Sequence, residues 1–310
     1  ERADVSRLRN LSLFLVLAAV WGSAFVAINA GLPYFPPVVF AAFRFDIAGV
    51  VMLGYAAYAV EDPLPRGRDQ WLEVVSGAVF IIAAYHAFLF VGESDPAVTS
   101  AVAAVIVSLS PLLTTVFARA FLPAERLTAV GAVGLGIGLV GAVVLANPDP
   151  ANLTGGGTVA KLLVLLAAAS FALGSVLSRA AETGIAVETM EAWSMLLGAG
   201  LTHLLALALG QSVADAVWTT ESLLALGYLS VVASGIGFLI YFDLLDRLGP
   251  IEINLVSYVA PVFAAAVGWL VLGEGVTTAT VAGFLIICVG FGLVKRDAIR
   301  DELRATDLTG

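Results

Sequence analysis

PAVTSAVAAVIVSLSPLLTTVFARAF (Pro96–Phe121) and IEINLVSYVAPVFAAAVGWLVL (Ile251–Leu272) are two apolar runs that each carry an internal proline. Each is long enough to cross a hydrocarbon core, which takes about 20 mostly apolar residues. Pro111 and Pro261 lie at an offset of 150, and the same offset pairs Trp21 with Phe171, Phe43 with Trp193 and Phe88 with Phe238. After a one-residue slip, an offset of 149 pairs Glu125 with Glu274, Thr128 with Thr277, Gly134 with Gly283 and Gly141 with Gly290. The matches hold register across several apolar runs, so the chain reads as an internal repeat.

Working outward, spans are expected over Leu11–Ala30, Pro37–Val60, Trp71–Gly92, Pro96–Phe121 and Leu127–Ala146. A second set is expected over Val159–Ala180, Val187–Leu209, Leu223–Leu245, Ile251–Leu272 and Val276–Val294. The organisation is therefore a first repeat over 11–146, an Asn-, Pro- and Gly-rich linker over 147–158, a second repeat over 159–294 and a tail over 295–310. The fold class expected is an all-α membrane protein of ten transmembrane helices in two five-helix repeats. Because five is odd, the second repeat must be inverted relative to the first.

Charge placement fixes the expected orientation. With the N-terminus inside, the same side collects Arg2, Arg7 and Arg9, then Arg66, Arg68, Arg119, Arg126, Arg179 and Arg247, then Lys295, Arg296, Arg300 and Arg304. Only Lys161 falls outside, and Arg44 lies within a span. That bias is the positive-inside pattern, and it places both termini in the cytoplasm and the chain in the plasma membrane.

Composition agrees. Of 310 residues, 60% are hydrophobic and 13% charged, with a mean hydropathy of +0.99. A soluble domain carries about twice that charge, so a soluble enzyme is excluded, as are a disordered chain and a collagen-like fibre. A net charge of −9 gives no footprint for nucleic acid. The single Cys288 permits no internal disulfide. No P-loop is present, and no His/Cys/Asp cluster has metal-ligand spacing. Gly136-x-Gly138-x-x-Gly141 matches a dinucleotide fingerprint, but no strand precedes it. With Gly131 and Gly134, those glycines read as close helix packing. No cofactor and no metal is expected. Inverted repeats are characteristic of secondary transporters, with the site near the midplane between the halves.

Several motifs resemble a known family. LVLAAVWGSAFV (Leu15–Val26), FRF (Phe43–Phe45), SLSPLL (Ser108–Leu113), AERLT (Ala124–Thr128), LGPIEINLVSYVAP (Leu248–Pro261) and GEGVT (Gly273–Thr277) are similar, as a set, to the EamA family of the drug/metabolite transporter superfamily. The resemblance implies a ten-helix carrier of small metabolites, often an exporter of amino acids. It also implies a cavity walled by the first, third, fourth, sixth, eighth and ninth spans. The second half departs with Ser194 opposite Arg44 and Gly275 opposite Arg126.

Polar groups inside a bilayer are functional candidates by default. Asn254, Ser257, Tyr258 and Pro261 follow helical i, i+3, i+4, i+7 spacing, and Ser100, Ser108 and Pro111 form a similar stripe. Pro111 and Pro261 are candidate hinges. Trp21, Tyr85 and His86 are candidate aromatic walls, with packing as the competing reading. Arg44 suits a substrate carboxylate; its alternatives are an ion pair with another helix or snorkelling. Asp46 and His86 are candidates for a proton step. Asp243 with Arg247, and Glu188 with Glu191, need only helix-end readings.

The expected function is a secondary active exporter of small polar metabolites, amino-acid-like solutes first, working by alternating access with protons as candidate coupling ion. Its partners are the substrate and the lipid bilayer; a monomer and a homodimer stay equally open. The alternatives are a nucleotide-sugar or organic-phosphate antiporter, which would want more buried cations than Arg44, and a receptor or passive channel. A membrane-embedded enzyme would need clustered His or carboxylates, and the chain has two His.

Overall fold

The computed structural model describes residues 2–121, 129–146, 156–181, 183–294 and 296. Among these there is no strand. The first repeat comprises α1 (Arg2–Gly31), α2 (Pro37–Ala59), α3 (Gly67–Ser76), a π-helical segment (Gly77–Ala84), α4 (Tyr85–Glu93), α5 (Ser100–Val107), α6 (Ser110–Phe121) and α7 (Ala129–Ala146). The second comprises α8 (Gly156–Ala181), α9 (Val187–Ala208), α10 (Thr220–Gly227), a second π-helical segment (Tyr228–Ile236), α11 (Gly237–Asn254), α12 (Val256–Leu272) and α13 (Thr278–Val294). Seven helices among the described residues are long and apolar enough to span a membrane, and three shorter apolar ones accompany them. The molecule is an integral, multi-pass, all-helical membrane protein. Glu125, Arg126 and most of the linker and tail lie outside the described residues.

Local chemistry sets the boundaries. Pro37 opens α2, where its missing N–H has no helical partner to lose. Thr99 caps α5 by accepting from the Val102 amide, and Thr219 and Ser222 form a reciprocal capping box on α10. Gly273 ends α12 with φ +68, a left-handed conformation that costs glycine little.

The halves are related by inversion in their packing as well as their sequence. Equivalent helices α7 and α13 form the most extensive pair, and α2 with α9 the next. An added Cβ on Gly134 would meet the Gly290 carbonyl at 2.6 Å, and one on Gly141 the Gly283 carbonyl at 2.9 Å. As one number rises the other falls, so equivalent helices cross antiparallel. The remaining contacts exchange in the same way: α1 lies on α12 as α8 lies on α6 and α5, and the first π segment meets α9 as the second meets α2.

Three expectations need correction. The fourth span is broken at Ser108–Leu109, with Pro111 as the second residue of α6, so Pro111 starts a helix and does not kink a continuous one. The eighth span runs on as α11 to Asn254, and the break falls at Leu255. Asn254 therefore ends one helix while Ser257, Tyr258 and Pro261 belong to the next, with Leu255 between them in right-handed helical conformation. Pro261 does lie inside α12. Finally, the third and eighth spans each contain a π segment at equivalent positions, where the apolar periodicity reads as plain α-helix.

Candidate functional site

Extra residues in a π turn loosen the carbonyl ladder, and such turns are frequent at functional sites. Here neighbouring helices donate to both. The Trp21 Nε1 of α1 donates to the Ala233 carbonyl at 3.1 Å, and the Ser170 Oγ of α8 donates to the Phe80 carbonyl at 2.8 Å. The equivalent residues Arg44 and Ser194 also bond across the halves, Arg44 to a hydroxyl of the second π segment and Ser194 to a carbonyl of α3. Arg44 Nε donates to Ser234 Oγ at 3.2 Å, and Ser194 Oγ to the Val74 carbonyl at 3.0 Å.

Arg44 is 8% exposed and makes no ion pair among the described residues. Its guanidinium lies 5.1 Å from the centre of the Phe45 ring. Its charge acts on Tyr85, His86 and Glu93 across the interior. The fold thus gathers Arg44, Tyr85 and His86 from two spans around one buried cation.

His86 is packed between rings, with centroids 4.3 Å from Phe45 and 4.4 Å from Tyr85, and its Nδ1 lies 2.9 Å from the Ile82 carbonyl. Asp46 is not its neighbour. Asp46 Oδ2 pairs with His203 Nε2 at 2.8 Å across the α2–α9 contact. That pairing spans 157 residues and carries no local sequence signal.

The other candidates separate. Trp21 stacks beside Phe238 and Tyr241 at 5.9 and 5.5 Å. Ser108 is buried and its hydroxyl donates to the Val105 carbonyl at 2.6 Å, a backbone contact within its own helix end. Ser257 is half-buried on α12. The Tyr258 ring lies 4.3 Å from Phe291, and its buried hydroxyl has no partner among the described residues. The side chain of Asn254 lies outside the described residues.

A buried polar chain went unseen in the sequence. Asn29 Nδ2 donates to Glu93 Oε2 at 2.7 Å and to Ser100 Oγ at 3.2 Å. Ser100 in turn donates to Glu274, its amide to Oε2 and its hydroxyl to Oε1, both at 3.0 Å. Glu93 is 2% exposed and its Oε1 has no partner among the described residues. Glu274 folds back over Gly268, where any Cβ would collide with its carboxylate. It lies beyond the end of α12, and burial pushes its carboxyl above the ordinary range, with the two Ser100 bonds pulling it back in part. The Glu in GEGVT was the available signal. Glu191, placed in the sequence as a first-turn acid, also has a buried oxygen, Oε2, without a partner among the described residues.

Comparison with known proteins agrees with this architecture. The model of the EamA-like transporter family matches residues 9–147 and 158–296, one copy per repeat. The chain is 26% identical to the uncharacterized transporter YoaV of Bacillus subtilis (strain 168) over 271 residues, covering 87% of this chain and 91% of that protein. It is 30% identical to the uncharacterized inner membrane transporter YedA of Escherichia coli (strain K12) over 267 residues, covering 85% and 84%. A crystal structure of 24% identity superposes with a TM-score of 0.66, covering 95% of this chain and 99% of the other, and supports the fold.

Proposed function

The chain belongs to the EamA-like transporter family, and from that premise we propose that it exports small polar metabolites, amino acids or amino-acid-like solutes first, by proton-coupled secondary transport. The single observation that supports the substrate class is Arg44. A guanidinium taken out of water needs a compensating anion or several acceptors. Arg44 has one neutral hydroxyl, Ser234, and no carboxylate partner among the described residues. A substrate carboxylate would complete it with a forked pair of hydrogen bonds. Phosphate-bearing solutes would want more than one such cation.

In this reading ten spans cross the plasma membrane with both termini in the cytoplasm. The ends of α1 and α4 and the start of α5 then face outward, and the antiparallel crossings let the two halves rock about the site between them. Tyr85 and His86 wall the substrate beside Arg44. Trp21 sits where α1 meets the second π segment, with Ser257 and Tyr258 on the α12 side.

Counterflow in proteoliposomes loaded with mixed unlabelled amino acids tests this. Saturable accumulation of a labelled amino acid that vanishes without the internal pool supports the carrier and its substrate class. A signal only with a nucleotide-sugar or organic-phosphate pool overturns the substrate. Flux without saturation or counterflow points to a channel.

A further inference from the structure

Glu93 closes a spanning helix with a carboxylate that is only half satisfied. Oε2 receives the Asn29 amide at 2.7 Å, while the buried Oε1 receives no donor among the described residues. An ionised oxygen in that position forgoes its hydration and gains no donor among the described residues in return, which disfavours the charged form. The second carboxylate, Glu274, is tied to the same Ser100 that accepts from Asn29. Two acids therefore share one short hydrogen-bonded bridge.

The surroundings are specific. From α2, Arg44 acts on Glu93 with opposite sign, and Glu274 acts on it with like sign. Tyr85 and His86 are the titratable groups on its own helix. From α1 and α5 come the neutral Asn29 and Ser100. On the α8 side, Ala160 and Val164 press against Gly92, next to Glu93, and Lys161 is the charged residue in that stretch of the helix. Like charges at such a site cannot both be accommodated without penalty, and holding one proton relieves it.

We propose that the Glu93–Glu274 pair, bridged by Asn29 and Ser100, holds one exchangeable proton and is the coupling-proton site of this carrier. Only the coupling role rests on the transport reading above; the proton site stands apart from it. The proton adds to a carboxylate oxygen of Glu93, making a neutral acid, and no other bond changes. Glu274, in the loop after α12, is the more open of the two and gives the proton its way in. The bridge ties α1, α4 and α5 to the α12–α13 loop. Binding the proton therefore favours this end of the bundle closed, and losing it leaves two like charges that favour its opening.

The first test needs no substrate. Infrared difference spectra of the full chain in liposomes are recorded as the pH is raised. The wild type is expected to lose a protonated-carboxyl band of this pair, which Glu191→Gln, removing the other buried acid, should leave in place. That band should be absent from Glu93→Gln, and should be lost at lower pH in Glu274→Gln, where the like charge has gone. Glu93→Asp should restore a band, which guards against misfolding of the Gln variant. An unchanged band in Glu93→Gln overturns the site. The second test uses the amino acid identified by counterflow. Wild type should accumulate it about tenfold per pH unit for one proton per cycle. Glu93→Gln should keep counterflow, which moves no net proton, and lose the pH-driven accumulation. If the variant keeps both, or if Asp46→Asn loses accumulation while Glu93→Gln retains it, the coupling role is overturned. If a folded Glu93→Gln loses both, Glu93 belongs to the substrate path and the assignment also fails. Silence of the wild type with every pool would overturn the transport reading, and the infrared result would still decide the proton site.

Discussion

Arg44 and Ser234 meet at 3.2 Å, a hydrogen bond from the second helix of one repeat to the π segment of the other. The equivalent of Arg44 in the second repeat is Ser194, which bonds the Val74 carbonyl just ahead of the first π segment. At this pair the inverted symmetry is kept in the helices and broken in charge, as it is at Asp46, whose equivalent is Leu196. Under the proposed function this cation holds the substrate carboxylate. Arg44→Gln is expected to weaken substrate binding by about 1.5 to 3 kcal/mol, the worth of a charge-assisted hydrogen bond, or roughly ten- to more than a hundredfold in affinity. The concentration dependence of counterflow measures it. Ser234→Ala, which spares the charge, should shift it far less. Equal affinity in Arg44→Gln and wild type would make Arg44 structural.

Trp21→Phe keeps the ring beside Phe238 and Tyr241 and removes the donor to the Ala233 carbonyl. Interhelical hydrogen bonds in membranes are worth about 0.6 kcal/mol on average and about 1.7 kcal/mol at most. The variant should lose stability within that range in thermal unfolding. No loss would mean that the π segment satisfies its own carbonyls.

Much of this was open to a reader of residues alone, and the division has a physical basis. Spans and repeat follow from apolar runs and from Pro and Gly at fixed offsets, which are local signals. Arg44 stood out because charge within a span is expensive wherever it points. Glu93 did not, because one acid at the end of an apolar run is indistinguishable from an interfacial residue. Its burial is made by Asn29, Ser100 and Glu274, the first 64 residues away in sequence. The Asp46–His203 pair is likewise long-range. The break at Ser108–Leu109 went unread because a proline marks a helix end only to within a few residues, and the one at Leu255 has no proline beside it.

Glu274 gives a pH dependence with a definite sign. Burial raises its folded-state value above that of the unfolded chain, against the partial opposition of the Ser100 bonds. The folded protein therefore binds a proton that the unfolded chain has begun to release. Its contribution is fully present below the unfolded value, about 4.3, and is lost as pH rises through the raised folded value. Glu274→Gln should flatten the fall of melting temperature over that window and change little below it. A fall of the same size in both proteins would remove Glu274 as its source.

The crossing of α7 and α13 offers the sharpest test of the inverted packing, because neighbouring glycines on one helix should respond oppositely. Gly141 has the Ile287 side chain, the Gly283 carbonyl and the Ile287 amide within 2.9 Å of where a Cβ would stand. Two of those atoms are backbone and cannot turn aside, so Gly141→Ala must push the helices apart. Overpacking of that kind costs about 1 to 3 kcal/mol. Gly136, less than two turns earlier, has nothing within 4 Å of its would-be Cβ. Gly136→Ala meets no neighbour and gains helix propensity, about 0.8 to 1 kcal/mol in exposed helices. Thermal unfolding should therefore place Gly141→Ala below the wild type and Gly136→Ala at or above it. The same order should recur at Gly283→Ala, which meets Leu145 and the Gly141 carbonyl, and Gly292→Ala, which meets nothing. A fall at Gly136 equal to that at Gly141 would mean that α7 presents a different face to α13, and the antiparallel crossing would have to be redrawn.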